Sequence, residues 1–287
     1  MSEPQLITCD DNVRLSATLY RANSPKGVVV IGAAIGIPQG FYRAFCSFLA
    51  SSGYSCITFD YRGTGSSFVE QQALKIKLED WGVKDIEAVI KFSKRHINGD
   101  ELPVHFIGHS IGGQVVGLAS ASLELSSITC IATSLPFWRR WPFPKNFSVL
   151  ALAKLVIPSL AAFRSEFPAN KVGLGSMNFP TTVAKRWAKW MSHPDYLFAA
   201  KFNLNTQYYQ SIAIPLLSYG FEDDGLAPEQ NINRYLARFP NAKVTRRSVA
   251  PEELGKGLIG HSGFFKEKFQ DSLWRDTLSW LDSLVLG

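Results

Sequence analysis

The sequence predicts an α/β protein: a mostly parallel central sheet covered by helices on both faces, an antiparallel hairpin at the N-terminus, and a helical insertion late in the chain. Three observations carry that expectation. Continuous apolar runs, Val28-Val29-Val30-Ile31 among them, read as strands buried on both faces. Segments of helical periodicity alternate with those runs, as they do when parallel strands are joined by crossover helices. One run, Val104-His105-Phe106-Ile107, passes into Gly108-His109-Ser110-Ile111-Gly112-Gly113, and helical spacing begins at once with Ile111, Val115, Leu118, Ala119 and Ser122. A strand turning sharply into a helix puts Ser110 at the apex, at the carboxyl end of the sheet.

The elements follow in order. Residues 6–9 and 13–20 flank Asp10-Asp11-Asn12 as a hairpin, with Val13, Leu15, Ala17 and Leu19 alternating with Arg14, Ser16 and Thr18. After the strand at 28–31 comes the small-residue loop Gly32-Ala33-Ala34-Ile35-Gly36-Ile37-Pro38, then a helix over 41–52 closed by Gly53. Residues 54–59 form the next strand and end in Asp60-Tyr61-Arg62-Gly63-Thr64-Gly65-Ser66. Trp81, Ile86, Val89 and Ile90 mark a helix reaching residue 96. Strands follow at 104–107, 128–132, 215–219 and 243–249, with a helix over 228–239 between the last two. A terminal helix carries Phe265, Phe269, Leu273, Leu278, Leu281 and Leu284 on one face.

Composition bounds the class. Of 287 residues 46% are hydrophobic and 19% charged, which suits a globular protein with a sizeable core. The most apolar long stretch, 147–163, is broken by Lys154 and Pro158 and is short for a membrane span, so a core or lid helix is expected there. Cys9, Cys46, Cys56 and Cys130 have neither paired nor metal-ligand spacing and read as reduced, buried thiols. Met1-Ser2-Glu3-Pro4-Gln5 has no basic, apolar leader character. The expectation is a cytoplasmic protein that uses no metal and no cofactor.

The chemistry centres on Ser110. Gly108 and Gly112 remove side chains that would collide in so tight a bend, and the N–H of Ile111, at the first helical position, lacks an intrahelical partner. Gly-x-Ser-x-Gly by itself also fits a tight turn with a solvated serine. A hydroxyl is a poor nucleophile at neutral pH and needs a base, which in turn needs an orienting acid. Of five histidines, His96 ends an exposed helix, His105 lies inside a strand, His109 points away from Ser110, and His193 precedes Pro194 in a turn. His261, in Gly260-His261-Ser262-Gly263 between the last strand and the last helix, can reach over the sheet to Ser110. For the acid, Asp223 and Asp224 both follow the strand at 215–219; Asp224 is favoured by its place in Asp-Gly-Leu-Ala-Pro, and either could instead be a turn carboxylate or a helix cap.

With Ser110, Asp224 and His261 in that chain order, the sequence resembles the α/β-hydrolase superfamily over about residues 5–135 and 211–285. The Asp60–Ser66 stretch is similar to the superfamily's loop after the second parallel strand and is read as structural. More narrowly, the chain resembles a poorly characterised bacterial group of predicted α/β-hydrolases with a similar Phe221-Glu222-Asp223-Asp224 stretch, a Gly260-His261-Ser262-Gly263-Phe264-Phe265 stretch and a Trp138-Arg139-Arg140-Trp141-Pro142 insertion. The resemblance implies an oxyanion hole from the N–H groups of Ile111 and Ile35, with Ala34 as the alternative to Ile35. Many relatives have His-Gly where this chain has Ala33-Ala34, but a backbone donor does not depend on the side chain. No Gly-Gly-Gly-x run is present, which disfavours the esterase branch built on that loop.

Residues 136–210 stand apart from the core at 1–135 and 211–287. They hold Trp138, Trp141, Trp187 and Trp190, four of seven tryptophans, and ten Lys or Arg against Glu166 and Asp195. The insertion is thus +8 within a chain of net +6. Relatives carry a cap over the site at this position. An aromatic cap would line an acyl pocket through those four tryptophans, and its charge could draw an anionic or lipid-like substrate or dock on an anionic membrane surface; a solvated basic face over an ordinary core is the plainer reading. No nucleic-acid motif accompanies it. The expected function is a serine hydrolase cleaving a small-molecule ester or thioester through an acyl-enzyme. Two alternatives are an acyltransferase using an anionic acyl donor such as a CoA thioester, and a non-catalytic binding protein on the same fold.

Overall fold

Alternation builds the first hairpin of the computed structural model, which describes residues 2–97 and 102–285. Ser2–Thr8 (β1) pairs antiparallel with Arg14–Tyr20 (β2), Ile7 opposite Leu15. Asn12 takes the turn at φ 62°, a left-handed conformation asparagine tolerates better than most residues. β1 starts earlier than its pattern predicts because it is an edge strand whose side chains are largely solvated, so no apolar period marks it.

Gly27–Gly32 (β3), Tyr54–Phe59 (β4), Val104–His109 (β5) and Ser127–Ile131 (β6) are buried at every position, as continuous apolar runs require. Glu166–Phe167 (β7) and Phe179–Pro180 (β8) form a separate antiparallel pair. Pro215–Phe221 (β9) and Lys243–Val249 (β10) complete the main sheet, whose order is β1-β2-β4-β3-β5-β6-β9-β10. From β4 to β10 all neighbours run parallel, and β2 joins β4 antiparallel. β10 is the far edge; Lys243, Arg246 and Arg247 line it, which discourages pairing with another chain.

This order places the site. The chain runs from β3 outward to β4, then returns to lay β5 on the other side of β3. The loops after β3 and β5 are therefore neighbours at the carboxyl ends of adjacent strands, where an open parallel sheet leaves a crevice. Asp60, after β4, accepts hydrogen bonds from the Gln39 and Ser66 N–H groups at 2.9 and 3.0 Å and so ties two of these loops together.

The helix after Ser110 is shorter than its periodicity predicts. It is α-helical only over Ile111–Val115, then tightens into 3₁₀ turns at Val116–Leu118 and Ser120–Glu124. Buried tyrosines explain the break. Tyr235 donates to the Gly113 carbonyl and Tyr209 to the Gln114 carbonyl, both at 2.5 Å, engaging acceptors that a continuing helix would use. Gly117 lies against the Tyr209 ring, so close that a Cβ there would sit 2.6 Å from it.

Residues 136–210 add no strand to the main sheet. The apolar stretch is helical from Lys145 to Leu160, and Thr181–Met191 forms a second helix against it. Arg186 grips Glu79 through two hydrogen bonds at 3.0 and 2.8 Å, and Thr182 donates to the Ile76 carbonyl at 2.6 Å. These contacts hold the insertion to the segment after β4. All four cysteines are buried, and none forms a disulfide. No helix among the described residues is long and apolar enough to cross a membrane.

Candidate active site

Ser110 occupies a strained position. Its φ of 51° and ψ of −115° lie outside the regions L-residues favour, and its N–H is fixed to the Ile131 carbonyl at 2.9 Å. Two glycines make the bend feasible. A Cβ on Gly108 would lie 2.4 Å from Gly113 N, and one on Gly112 would lie 2.2 Å from the Gly32 carbonyl oxygen. The strand, the helix and β3 approach too closely there for any side chain.

His261 and Asp224 come together from different strand ends. His261 Nδ1 lies 2.7 Å from Asp224 Oδ2. The Asp224 side chain is buried, and its other oxygen accepts the N–H groups of Leu226 and Ala227 at 2.8 and 3.2 Å. A carboxylate only accepts, so Nδ1 carries the proton and Nε2 is left as the basic nitrogen. Asp223 does not touch the imidazole. It accepts the Ile259 N–H at 2.8 Å and the Gly260 N–H at 2.9 Å, and thereby holds the loop that presents His261. Ser110 and His261 face the same cavity, without a hydrogen bond between them. Such contacts are often long in an empty site and tighten on substrate.

The other histidines sort by environment. His96 is exposed at a helix end, and His193 accepts the Asp195 N–H in a turn. His105 is packed in β5 against Ser127, and burial pulls its pKa down to about 4. His109 is fully buried and turned away from Ser110, yet it joins three loops. Its Nε2 meets the His261 carbonyl at 2.9 Å and its Nδ1 meets the Tyr42 hydroxyl at 2.9 Å. The carbonyl can only accept, so Nε2 carries the proton, and Tyr42 donates to Nδ1. The Tyr42 oxygen in turn accepts the Ala34 N–H at 2.9 Å. The Ala34 N–H is thus engaged, whereas the Ile35 N–H makes no hydrogen bond to the protein among the described residues, and both residues line the cavity with Ser110.

The cavity encloses about 390 Å³. Its walls are largely apolar: Ile37, Val149, Leu152, Leu174, Met191 and Leu226 contribute, with Gln114, Ser134 and Ser262 as polar points. Only two of the four predicted tryptophans reach it, Trp141 and Trp187. Trp138 lies outside, under the Arg139 guanidinium at 4.9 Å. Trp190 is fully buried against Tyr196 and Phe202, a core side chain rather than a pocket wall. Among the described residues, no Lys, Arg, Asp or Glu lines the cavity; the Lys145 ammonium of the insertion lies beside Gly225, next to the lining residue Leu226. Met191, one turn beyond Trp187, was readable from helical spacing; Gln114, one turn beyond Ser110, was readable the same way.

Comparison with known proteins places this geometry in a family. The family model for serine aminopeptidase, S33, matches residues 23–193, more than half of the chain, and ends before Asp224 and His261. The quorum-quenching protein AidA of Acinetobacter baumannii is 27% identical over 262 residues, covering 82% of this chain and 83% of that protein. Among solved structures, an esterase of Pyrococcus furiosus superposes with a TM-score of 0.61 at 18% identity, over 99% of this chain and 93% of that one. A monoglyceride lipase of Saccharomyces cerevisiae superposes with a TM-score of 0.66 at 14% identity, over 99% and 95%. The chain has the α/β-hydrolase fold and belongs to the serine aminopeptidase S33 family.

Proposed function

We propose that this protein is a serine hydrolase that cleaves a carboxylic ester or thioester of a neutral, largely apolar small molecule. The observation that carries the reading is the 2.7 Å contact between His261 and a buried Asp224, with His261 and the strained Ser110 facing one apolar cavity. Ser110 Oγ attacks the scissile carbonyl while His261 Nε2 takes its proton. Asp224 fixes the tautomer and stabilises the imidazolium. The N–H groups of Ile111 and Ile35 hold the tetrahedral oxyanion. The carbonyl re-forms, the leaving group departs with the proton from His261, and an acyl-Ser110 ester remains. His261 then activates water, which releases the acid and restores Ser110.

The lining narrows the substrate. An aminopeptidase needs an anionic partner for the substrate's α-ammonium group, and no carboxylate lines this cavity among the described residues. An anionic acyl donor would want a cation there, and none lines the cavity among the described residues. Both points support a neutral ester over a peptide or a CoA thioester. Residues 136–210 act as the cap, supplying Trp141, Val149, Leu152, Leu174, Trp187 and Met191 to the walls. The four thiols are buried and free, Cys46 and Cys56 in contact at 3.0 Å, and thiols kept reduced there would suit a cytoplasmic setting.

The test is turnover of p-nitrophenyl esters of graded chain length. Measurable kcat/KM with the wild type, lost by a factor of about 10⁴ or more in Ser110→Ala, supports the reading. Turnover unchanged by that substitution contradicts it.

A further inference from the structure

Gln114 is one of three polar side chains in the cavity wall, with Ser134 and Ser262, that the proposed triad does not use. It sits one turn after Ser110 and is only 4% exposed. Both of its acceptor groups are engaged by tyrosines that are themselves fully buried. Tyr209 donates to its carbonyl at 2.5 Å, and the Tyr196 hydroxyl lies 2.7 Å from Oε1.

The direction of the second bond is fixed. An amide oxygen only accepts, and Tyr196 meets Gln114 through Oε1. The Tyr196 proton therefore goes to Gln114 Oε1. That leaves the Gln114 Nε2 amide turned to the cavity, where it has no partner among the described residues. The arrangement is held at some expense. Tyr196 has φ 53°, a left-handed conformation that a bulky side chain rarely adopts. Strain of this kind persists where the surroundings over-determine a position, and here they aim one amide.

We infer that Gln114 Nε2 is a specificity donor, and that the protein selects substrates whose apolar chain carries a neutral oxygen acceptor such as a ketone or amide carbonyl. An unsubstituted alkyl chain lying over Nε2 would strip its hydration and return no partner. A chain with a carbonyl at the right position replaces that hydration with a hydrogen bond, and sites built this way reject the analogue that lacks the group. Tyr196 is a positioning residue: it acts by keeping the amide from turning over. The inference rests on the proposed hydrolase site, because it assigns the cavity beside Ser110 to the substrate chain.

The test separates the two readings by measuring binding and turnover independently. The probes are ethyl octanoate and the same ester carrying a ketone at each successive chain position. Binding is measured calorimetrically to the Ser110→Ala protein. At least one ketone ester should bind about tenfold more tightly than ethyl octanoate. Adding Gln114→Leu, or Gln114→Met should the first variant fold poorly, should bring that ratio to about one. Tyr196→Phe should lower the same ratio, an effect that general loss of stability would not produce. If no ketone position is preferred, or if the preference survives both Gln114 substitutions, the inference is wrong. Preferential binding without wild-type hydrolysis of any ester would uphold the inference and overturn the hydrolase reading. Hydrolysis without preference would do the reverse.

Discussion

Asp224 Oδ2 lies 2.7 Å from His261 Nδ1, while the carboxylate next to it in sequence binds the backbone of the same loop. Adjacent acids thus hold one histidine in different ways, one by its ring and one by its chain. Asp224→Asn should lower kcat by about 10⁴, because an amide can stabilise the wrong tautomer and cannot balance an imidazolium. Asp223→Ala should lower kcat by about a hundredfold, through a misplaced loop. Steady-state kinetics on both variants checks this, and a larger effect at Asp223 would reverse the assignment.

His109 makes stability depend on pH. Burial is the main cause that takes its pKa from 6.5 down to about 3, and burial takes His105 down to about 4. In the unfolded chain both protonate near their ordinary value, so below pH 6.5 the unfolded state binds more protons. Stability is therefore full above about pH 6.5 and is lost as pH falls toward 4. Asp85 works the other way: burial outweighs Arg62 and raises its carboxyl to about 6. The comparison with His109→Gln isolates the histidine. Thermal melts from pH 7 to pH 4.5 should show a shallower decline for the variant, and parallel curves would contradict the buried neutral imidazole.

The four insertion tryptophans should separate into three behaviours. Trp190→Ala should destabilise by about 3–5 kcal/mol, the usual result of emptying a large core site. Trp138→Ala, at a half-buried position outside the cavity, should cost about 1 kcal/mol, the common size of a point-substitution effect. Trp141→Ala should lower kcat/KM for long-chain esters by about tenfold while short-chain esters change less. Trp187→Ala should do likewise. Melts and a chain-length series together check this.

At the elbow, Gly112→Ala would push a methyl to 2.2 Å from the Gly32 carbonyl oxygen, and backbone cannot give way as a side chain can. A loss of about 1–3 kcal/mol is expected, or more if β3 must shift. A chemical denaturation midpoint unchanged from wild type would show that the close approach of β3 to the elbow is not as described.

The sheet was legible because strands buried on both faces leave unbroken apolar runs, as in β3 and β4, and because Gly-x-Ser-x-Gly marks its own turn. The meeting of Asp224 and His261 was readable from chain order, and the Asp-Gly-Leu-Ala-Pro setting favoured Asp224 over Asp223 without deciding between them. Both sit in the same turn, and only the path of the 259–261 backbone decides which reaches the ring. The early end of the helix after Ser110 was hidden because Tyr209 and Tyr235, distant in sequence, supply the hydroxyls that break it. Trp138 and Trp190 misled for a related reason: residue type reports the capacity to pack, while the tertiary neighbours decide whether the partner is substrate or core. The joining role of His109 was hidden too, since Tyr42 and the His261 carbonyl meet it only in the folded chain.

The central claim is that Ser110 is an activated nucleophile, and covalent labelling tests it most directly. The wild type would be treated with a fluorophosphonate, and with a small sulfonyl fluoride in case the cap excludes the larger probe, and the adduct located by peptide mass. A single adduct on Ser110 is expected, absent in Ser110→Ala and strongly slowed in His261→Ala. Failure of both reagents to label the wild type, or an adduct on another residue that persists in Ser110→Ala, would contradict it.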